Sequence, residues 1–136
     1  MLKILLSGAC GKMGKTVALC AENDESLSVI CGVDKFKAEQ YSDFPVYGDF
    51  ENVKESPDVI IDFSNADNLS SLLDFALSSS LPIVIATTGY SDEQIAEIKK
   101  ASEKIPVFFT FNFSLGVNIL TALSKKAAAV LGDSFD

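Results

Sequence analysis

Short apolar runs alternate with amphipathic segments along this chain, and this alternation constrains its fold more than any other feature. The apolar runs predict strands at residues 2–7, 27–34, 58–63, 81–86 and 106–111. The intervening segments predict helices at 12–23, 67–80, 91–104 and 115–131, with a short extended piece within 35–50 and a helical turn at 49–55. Strands joined by helices pair in parallel. We therefore expect an α/β fold, a doubly wound parallel sheet with helices on both faces.

The turn after the first predicted strand carries two overlapping glycine motifs. Gly8, Gly11 and Gly14 have the spacing G-x-x-G-x-x-G, a variant of the βα turn that holds a dinucleotide pyrophosphate. The letters GKT at 14–16 instead resemble the end of a P-loop, which binds a nucleoside triphosphate. A P-loop needs a glycine five residues before Gly14, and that position is Ala9. The spacing favours the dinucleotide.

An acidic residue follows the second predicted strand at the position that a dinucleotide site requires. Asp34 lies twenty residues after Gly14 and ends an apolar run, where a carboxylate can accept hydrogen bonds from the adenosine ribose. Asp62 also ends an apolar strand and could be the magnesium-binding aspartate of a P-loop enzyme. We prefer the interpretation of Asp62 as an ordinary carboxylate at a strand end. Together, Gly8 to Gly14 and Asp34 predict a Rossmann-like domain.

Composition excludes several kinds of function. All eleven basic residues are lysines, histidine is absent, and the formal net charge is −8. The charge argues against nucleic acid as a partner, and no apolar run is long enough to span a membrane. Without histidine, the commonest general acid–base residue is missing. Cys10, Cys20 and Cys31 lack metal-site spacing, which is typical of reduced thiols in a cytoplasmic protein.

Ligands of doubly wound sheets bind at the carboxyl ends of the strands, so the loops after the predicted strands are the candidate contacts. These loops comprise residues 8–14, 34–35, 63–65, 87–89 and 111–114. Four of the five carry small or hydroxyl-bearing residues suited to the sugars and amide of a cofactor. An alternative remains for each: Ser64 and Ser114 as helix caps, and 87–89 as a plain turn. Ser91 and Gln94 predict a capping box at the start of the next helix.

Four stretches resemble the cofactor-binding domain of the dihydrodipicolinate reductase (4-hydroxy-tetrahydrodipicolinate reductase) family. They are GACGKMG at 8–14, DVIIDFS at 58–64, ATTGY at 86–90 and FNFSLGVN at 111–118. The last stretch is the most specific. The resemblance runs from residue 1 to about 132, which implies that 1–132 form one dinucleotide-binding domain. Residues 133–136 would then begin the link to a missing catalytic and tetramerisation domain.

The resemblance implies roles for individual residues. The pyrophosphate would be held by Gly8, Ala9, Cys10, Gly11, Lys12 and Met13. Asp34 would hold the adenosine ribose of NADH, and Lys35 could pair with the 2′-phosphate of NADPH. The nicotinamide side would be lined by Ala86, Thr87, Thr88, Thr110, Phe111, Asn112 and Phe113. Phe63 and Ser64 complete the expected cofactor contacts. Thr88 is also a candidate substrate contact, and no metal site is expected.

The family resemblance also implies an activity. Such reductases transfer hydride from NADH or NADPH to a small cyclic dicarboxylate in lysine and diaminopimelate biosynthesis, as homotetramers in the cytoplasm. The family's catalytic histidines and lysine have no counterpart in these 136 residues. We therefore expect this chain to bind cofactor without appreciable turnover, as a monomer or weak oligomer. Two alternatives stay open: a stand-alone NAD(P)-sensing module and, less favoured, a small P-loop NTPase.

Overall fold

The computed structural model describes residues 1–36, 43–110 and 112–132. Six strands form its sheet: β1 (Leu2–Ser7), β2 (Leu27–Val33), β3 (Val46–Tyr47), β4 (Val59–Asp62), β5 (Ile83–Ile85) and β6 (Val107–Phe109). The helices are α1 (Lys12–Glu22), α2 (Leu69–Ser78), α3 (Asp92–Ala101) and α4 (Leu115–Leu131). Two short 3-10 turns, at Phe50–Asn52 and Ala66–Asn68, precede β4 and α2 respectively.

All strand pairs are parallel, in the order β3-β2-β1-β4-β5-β6. The chain winds outward from β1 to β3 and then returns to the other side of β1 with β4. This order confirms the predicted doubly wound, Rossmann-like α/β fold. The reversal places a crevice between the carboxyl ends of β1 and β4, where such sheets bind their ligands.

The core lies in the centre of the sheet and against α2. Leu5 in β1 and Ile60 in β4 are completely buried, and Leu72 and Ala76 of α2 pack in the same apolar cluster. Burial on both faces explains why these strands are uniformly apolar in sequence rather than alternating. The rigid centre fixes the positions of the loops that leave β1, β4 and β5.

The predicted strands and helices lie where the structure has them, but several are shorter in the structure than predicted. The strand predicted at 81–86 comprises only Ile83–Ile85, since Leu81 N–H still donates to the Ala76 carbonyl at the end of α2 (2.9 Å). The helix predicted at 91–104 ends at Ala101, and its predicted capping box is present between Ser91 and Gln94. The short extended piece expected within 35–50 is the edge strand β3.

Helix α4 differs from the other helices because its apolar side chains are exposed. Leu115, Leu120 and Val130 are 74%, 64% and 81% exposed, whereas α2 buries its apolar face. Phe108 on β6 is exposed as well. Within the described part of the chain, no helix is both long and apolar enough to cross a membrane.

Candidate dinucleotide-binding site

The glycine turn after β1 has a geometry that only glycine allows at its first position. Gly8 has a φ of +76°, and its N–H donates to the Val33 carbonyl of β2 (2.8 Å). A Cβ at Gly8 would lie 2.6 Å from the Phe63 carbonyl oxygen and 2.8 Å from the Ser64 nitrogen, both backbone atoms. The turn is thus packed directly against the loop that follows β4.

The same turn leads directly into α1, and no side chain caps the N-terminus of this helix. Gly11 is the N-cap residue, and the helix begins at Lys12. A Cβ at Gly14 would collide with the carbonyl oxygens of Gly8 and Ala9, so the helix lies tight against the turn. An uncapped helix N-terminus offers N–H groups and the positive end of the helix dipole to an anion. The predicted pyrophosphate residues therefore lie together on one turn whose geometry suits an anion.

Asp34 connects the end of β2 to the glycine turn. One oxygen of its half-buried carboxylate accepts a hydrogen bond from Cys10 N–H, and the other accepts from Phe36 N–H (2.9 Å each). A carboxylate has about four acceptor positions, so two such bonds leave capacity for the hydroxyls of a ribose. Lys35 follows Asp34 and is exposed. The structure therefore places Asp34 beside the predicted pyrophosphate site.

A cleft of about 880 Å³ extends from the glycine turn along the β2 side of the crevice. It is lined by six of the predicted cofactor residues: Gly8, Gly11, Asp34, Lys35, Phe63 and Ser64. The volume lies within the range of small-molecule sites. This cleft has the size and position to receive the adenosine half of a dinucleotide.

Sequence reasoning missed the opposite wall of this cleft. Phe50 stacks on Phe75 with ring centroids 5.4 Å apart, and polar residues of α2 complete the wall: Ser71, Asp74 and Ser78. Their spacing of three and four residues places these polar positions on one helical face. That face was visible in the sequence, but the sequence does not show which loop faces it.

Asp62 is completely buried at the end of β4. It accepts from the hydroxyl of Ser64 at one carboxylate oxygen (2.6 Å) and from the hydroxyl of Thr87 at the other (2.7 Å). These contacts agree with a structural carboxylate at a strand end. No cluster of potential metal ligands occurs among the residues that the structure describes.

The predicted nicotinamide side is formed by the loop after β5. Thr87 is buried, whereas Thr88 and Gly89 are exposed. The Tyr90 ring packs edge-on against Phe109 with centroids 5.8 Å apart. Burial, together with the nearby Asp62 carboxylate, raises the pKa of Tyr90 above its ordinary value, so this phenol stays protonated at neutral pH. Thr88 is thus free to contact a ligand, while Thr87 faces the protein interior.

The loop after β6 meets the loop after β4 through aromatic side chains. Phe113 lies 6.2 Å from Phe63 between ring centroids and is 46% exposed. Thr110 Oγ1 accepts from Asn112 N–H (3.4 Å), and Asn112 Oδ1 accepts from Ser114 N–H (2.7 Å). Ser114 caps α4, as its alternative interpretation held, whereas Ser64 caps no helix. The predicted contact Phe111 lies outside the described residues.

Comparison with known proteins identifies the family. Residues 2–113 match the family model described as dihydrodipicolinate reductase, N-terminus. The 4-hydroxy-tetrahydrodipicolinate reductases of Clostridium novyi and Caldanaerobacter subterraneus are 42% and 44% identical over the full length of this chain. The match covers 54% and 53% of those two proteins. The chain therefore spans about half the length of the curated relatives it matches.

Solved structures support the fold. A dihydrodipicolinate reductase from Paenisporosarcina sp. TG-14, solved with dipicolinate, superposes with a TM-score of 0.79 at 24% identity, covering 95% of this chain and 54% of that one. Homoserine dehydrogenase of S. aureus gives a TM-score of 0.66 at 16% identity, covering 79% of this chain and 31% of that one. The matched family region, the close-packed glycine turn and the strand order all point to the same kind of domain. The chain belongs to the dihydrodipicolinate reductase family and corresponds to its N-terminal, NAD(P)-binding domain.

Proposed function

We propose that this chain is the cofactor-binding half of a cytoplasmic 4-hydroxy-tetrahydrodipicolinate reductase of lysine and diaminopimelate biosynthesis. In this proposal, residues 1–132 form the dinucleotide-binding domain. The observation that carries the proposal is the match of residues 2–113 to the family's N-terminal model, since it covers every loop that lines the crevice. The match also argues against a small P-loop NTPase.

The residues of the crevice fit a dinucleotide. We assign the pyrophosphate to the uncapped start of α1 and to the turn from Gly8 to Met13, where a Cβ at Gly8 or Gly14 would collide with backbone. The adenosine half occupies the cleft beside Asp34, whose carboxylate accepts from the ribose hydroxyls. Lys35 is exposed beside it and can pair with a 2′-phosphate, so we expect both NADH and NADPH to bind.

The nicotinamide half lies across the carboxyl ends of β4, β5 and β6 in this proposal. Ala86, Thr88, Thr110, Asn112 and Phe113 line it, with buried Thr87 behind them, and Thr88 also contacts the substrate. When bound, the reduced nicotinamide supplies a hydride to a small cyclic dicarboxylate. The chain's part is to orient the ring with these loops and to shield one face of it with aromatic side chains.

The chain holds no arginine or histidine with which to grip two carboxylates or to protonate the reduced ring. We therefore propose that it binds cofactor without appreciable turnover by itself. The exposed apolar residues of α4 would be covered by further protein in a homotetrameric enzyme. Alone, we expect a monomer or a weak oligomer, which sedimentation velocity over a tenfold concentration range measures.

Calorimetry with NADH, NADPH and ATP–Mg²⁺ tests the proposed function. We expect both nicotinamide dinucleotides to bind and ATP–Mg²⁺ to bind at least tenfold more weakly. Tight binding of ATP–Mg²⁺ with none of NADH or NADPH would overturn the proposal. A chain that binds dinucleotide but shows no reductase activity after addition of a family catalytic domain would instead support a stand-alone sensing module.

A further inference from the structure

A buried carboxylate lies behind the crevice, between two of its loops. Asp62 is fully buried, and its partners are hydroxyl and N–H groups: Ser64 Oγ (2.6 Å), Ser64 N–H (3.2 Å) and Thr87 Oγ1 (2.7 Å). Burying a charged group is costly unless hydrogen bonds compensate for its lost hydration. Short charge-assisted bonds to hydroxyls also fix geometry more firmly than neutral ones. The Asp62 cluster (Asp62, Ser64 and Thr87) thus holds its members in one arrangement.

The cluster joins the two halves of the crevice. On one side, Ser64 belongs to the backbone segment against which Gly8 is packed, so its position is tied to the pyrophosphate turn. On the other side, Thr87 begins the loop that exposes Thr88 and Gly89. The backbone between them is also paired, because Ala86 N–H donates to the Asp62 carbonyl (2.9 Å). The Asp62 side chain extends this pairing one residue further, into the loop.

We propose that Asp62 is a positioning residue for the nicotinamide half of the cofactor, acting through Thr87. Being fully buried, Asp62 does not touch the cofactor itself. It holds the 87–89 loop at a fixed distance from the pyrophosphate turn, so that a dinucleotide spanning both finds the loop already in place. Preorganisation of this kind lowers the ordering cost of binding. The inference rests on the proposed function, because it requires that the crevice bind NAD(P)H.

Comparing the binding of two ligands distinguishes a positioning role of Asp62 from a general effect on stability. NADH reaches both halves of the crevice, whereas ADP-ribose carries only the adenosine and pyrophosphate. In this 136-residue chain, we expect Asp62→Asn and Thr87→Val to weaken NADH about tenfold, since each removes a charge-assisted bond, while ADP-ribose changes less than about twofold. Thr87→Ser keeps the hydroxyl and is expected to restore NADH affinity. Calorimetry measures all three.

Ser91→Ala is the matched control. It removes a hydroxyl that caps α3 and that makes no contact with the Asp62 cluster, so it should lower stability while leaving both affinities unchanged. The double variant Asp62→Asn with Thr87→Val should bind NADH no more weakly than Thr87→Val alone, because Asp62 acts through Thr87. If Asp62→Asn fails to fold, the comparison of Thr87→Val with Thr87→Ser decides.

The possible failures are distinguishable. Equal losses for NADH and ADP-ribose would show a merely structural carboxylate and overturn the inference, as would no loss for NADH. Additive losses in the double variant would show that Asp62 does not act through Thr87. If the unmodified chain bound neither ligand, the proposed function itself would fall. If it bound both, and Asp62→Asn changed neither, only the positioning role would fall.

Discussion

Replacing Gly8 by alanine tests whether the proposed dinucleotide site depends on the close packing of the glycine turn against the loop after β4. The substitution adds one methyl group, which meets backbone atoms of Phe63 and Ser64 at 2.6–2.8 Å. Backbone cannot rotate away as a side chain can, so the turn or the loop after β4 must move. Gly132→Ala is the matched control, because Gly132 also has a positive φ (+58°) but an added Cβ there would meet no atom of the described residues within 4 Å.

The expected decreases in Tm follow from two costs, that of a positive φ and that of overpacking. A positive φ costs alanine about 1 kcal/mol relative to glycine, and both variants incur that cost. Overpacking against fixed atoms adds about 2 kcal/mol at Gly8 alone. For a domain of this size, 1 kcal/mol shifts Tm by roughly 3–5 °C. We therefore expect a Tm decrease of about 9–15 °C for Gly8→Ala and about 3–5 °C for Gly132→Ala.

Differential scanning fluorimetry and NADH titration check the two consequences. The displaced turn should also weaken NADH at least tenfold in Gly8→Ala, since donors to the pyrophosphate lose their alignment, while Gly132→Ala binds normally. Similar Tm decreases in the two variants would refute the argument from close approach. A destabilised Gly8→Ala that still binds NADH at full strength would show that the turn does not hold the pyrophosphate.

Three further predictions concern other parts of the chain. Asp34→Ala should weaken NADH more than NADPH in calorimetry, because the ribose hydroxyls lose their acceptor; equal losses would show that Asp34 does not contact the ribose. Burial raises the pKa of Cys31 to about 12 from an ordinary 9.0, so the unfolded thiol ionises first, and stability should fall from about pH 9 to pH 12. Chemical unfolding should show a shallower fall in Cys31→Ala, and parallel curves would contradict the assignment. Ser91→Ala removes the cap of α3 and should cost about 1 kcal/mol, a Tm decrease of roughly 3–5 °C; an unchanged Tm would mean that the capping box contributes nothing.

The sequence was sufficient to predict those features that depend on local residue type alone. The central strands are apolar throughout because both of their faces are covered, so β1 and β4 were predicted correctly without any tertiary information. The glycines at 8, 11 and 14 were equally informative, since a turn of this kind tolerates no side chain at two of them. The alternation of strands and helices was enough to predict a parallel, doubly wound sheet, but the order of its strands came only from the structure.

Other features depend on contacts between distant segments. Strand β3 has two residues, too few to show a period, and it exists because Gly32 and Val33 of β2 offer an open edge. The cleft wall formed by Phe50 and Phe75 joins two segments that carry no shared motif. The apolar residues of α4 are exposed because no other described element covers them.

Asp34 and Asp62 look alike in the sequence pattern but differ in their structural surroundings. Asp34 and Asp62 each end an apolar strand, and the sequence offered a ligand role for either. Asp34 is half-buried and borders the cleft, with two hydrogen bonds to backbone N–H groups and acceptor capacity to spare. Asp62 has no exposed surface, and its two oxygens take the hydroxyls of neighbouring loops. A carboxylate that must bind ribose has to keep free acceptor positions near solvent, whereas one that must hold loops has to be enclosed by them. Burial and partners therefore support the proposed roles of Asp34 as a ligand contact and of Asp62 as part of the frame around the site, a distinction that spacing alone does not make.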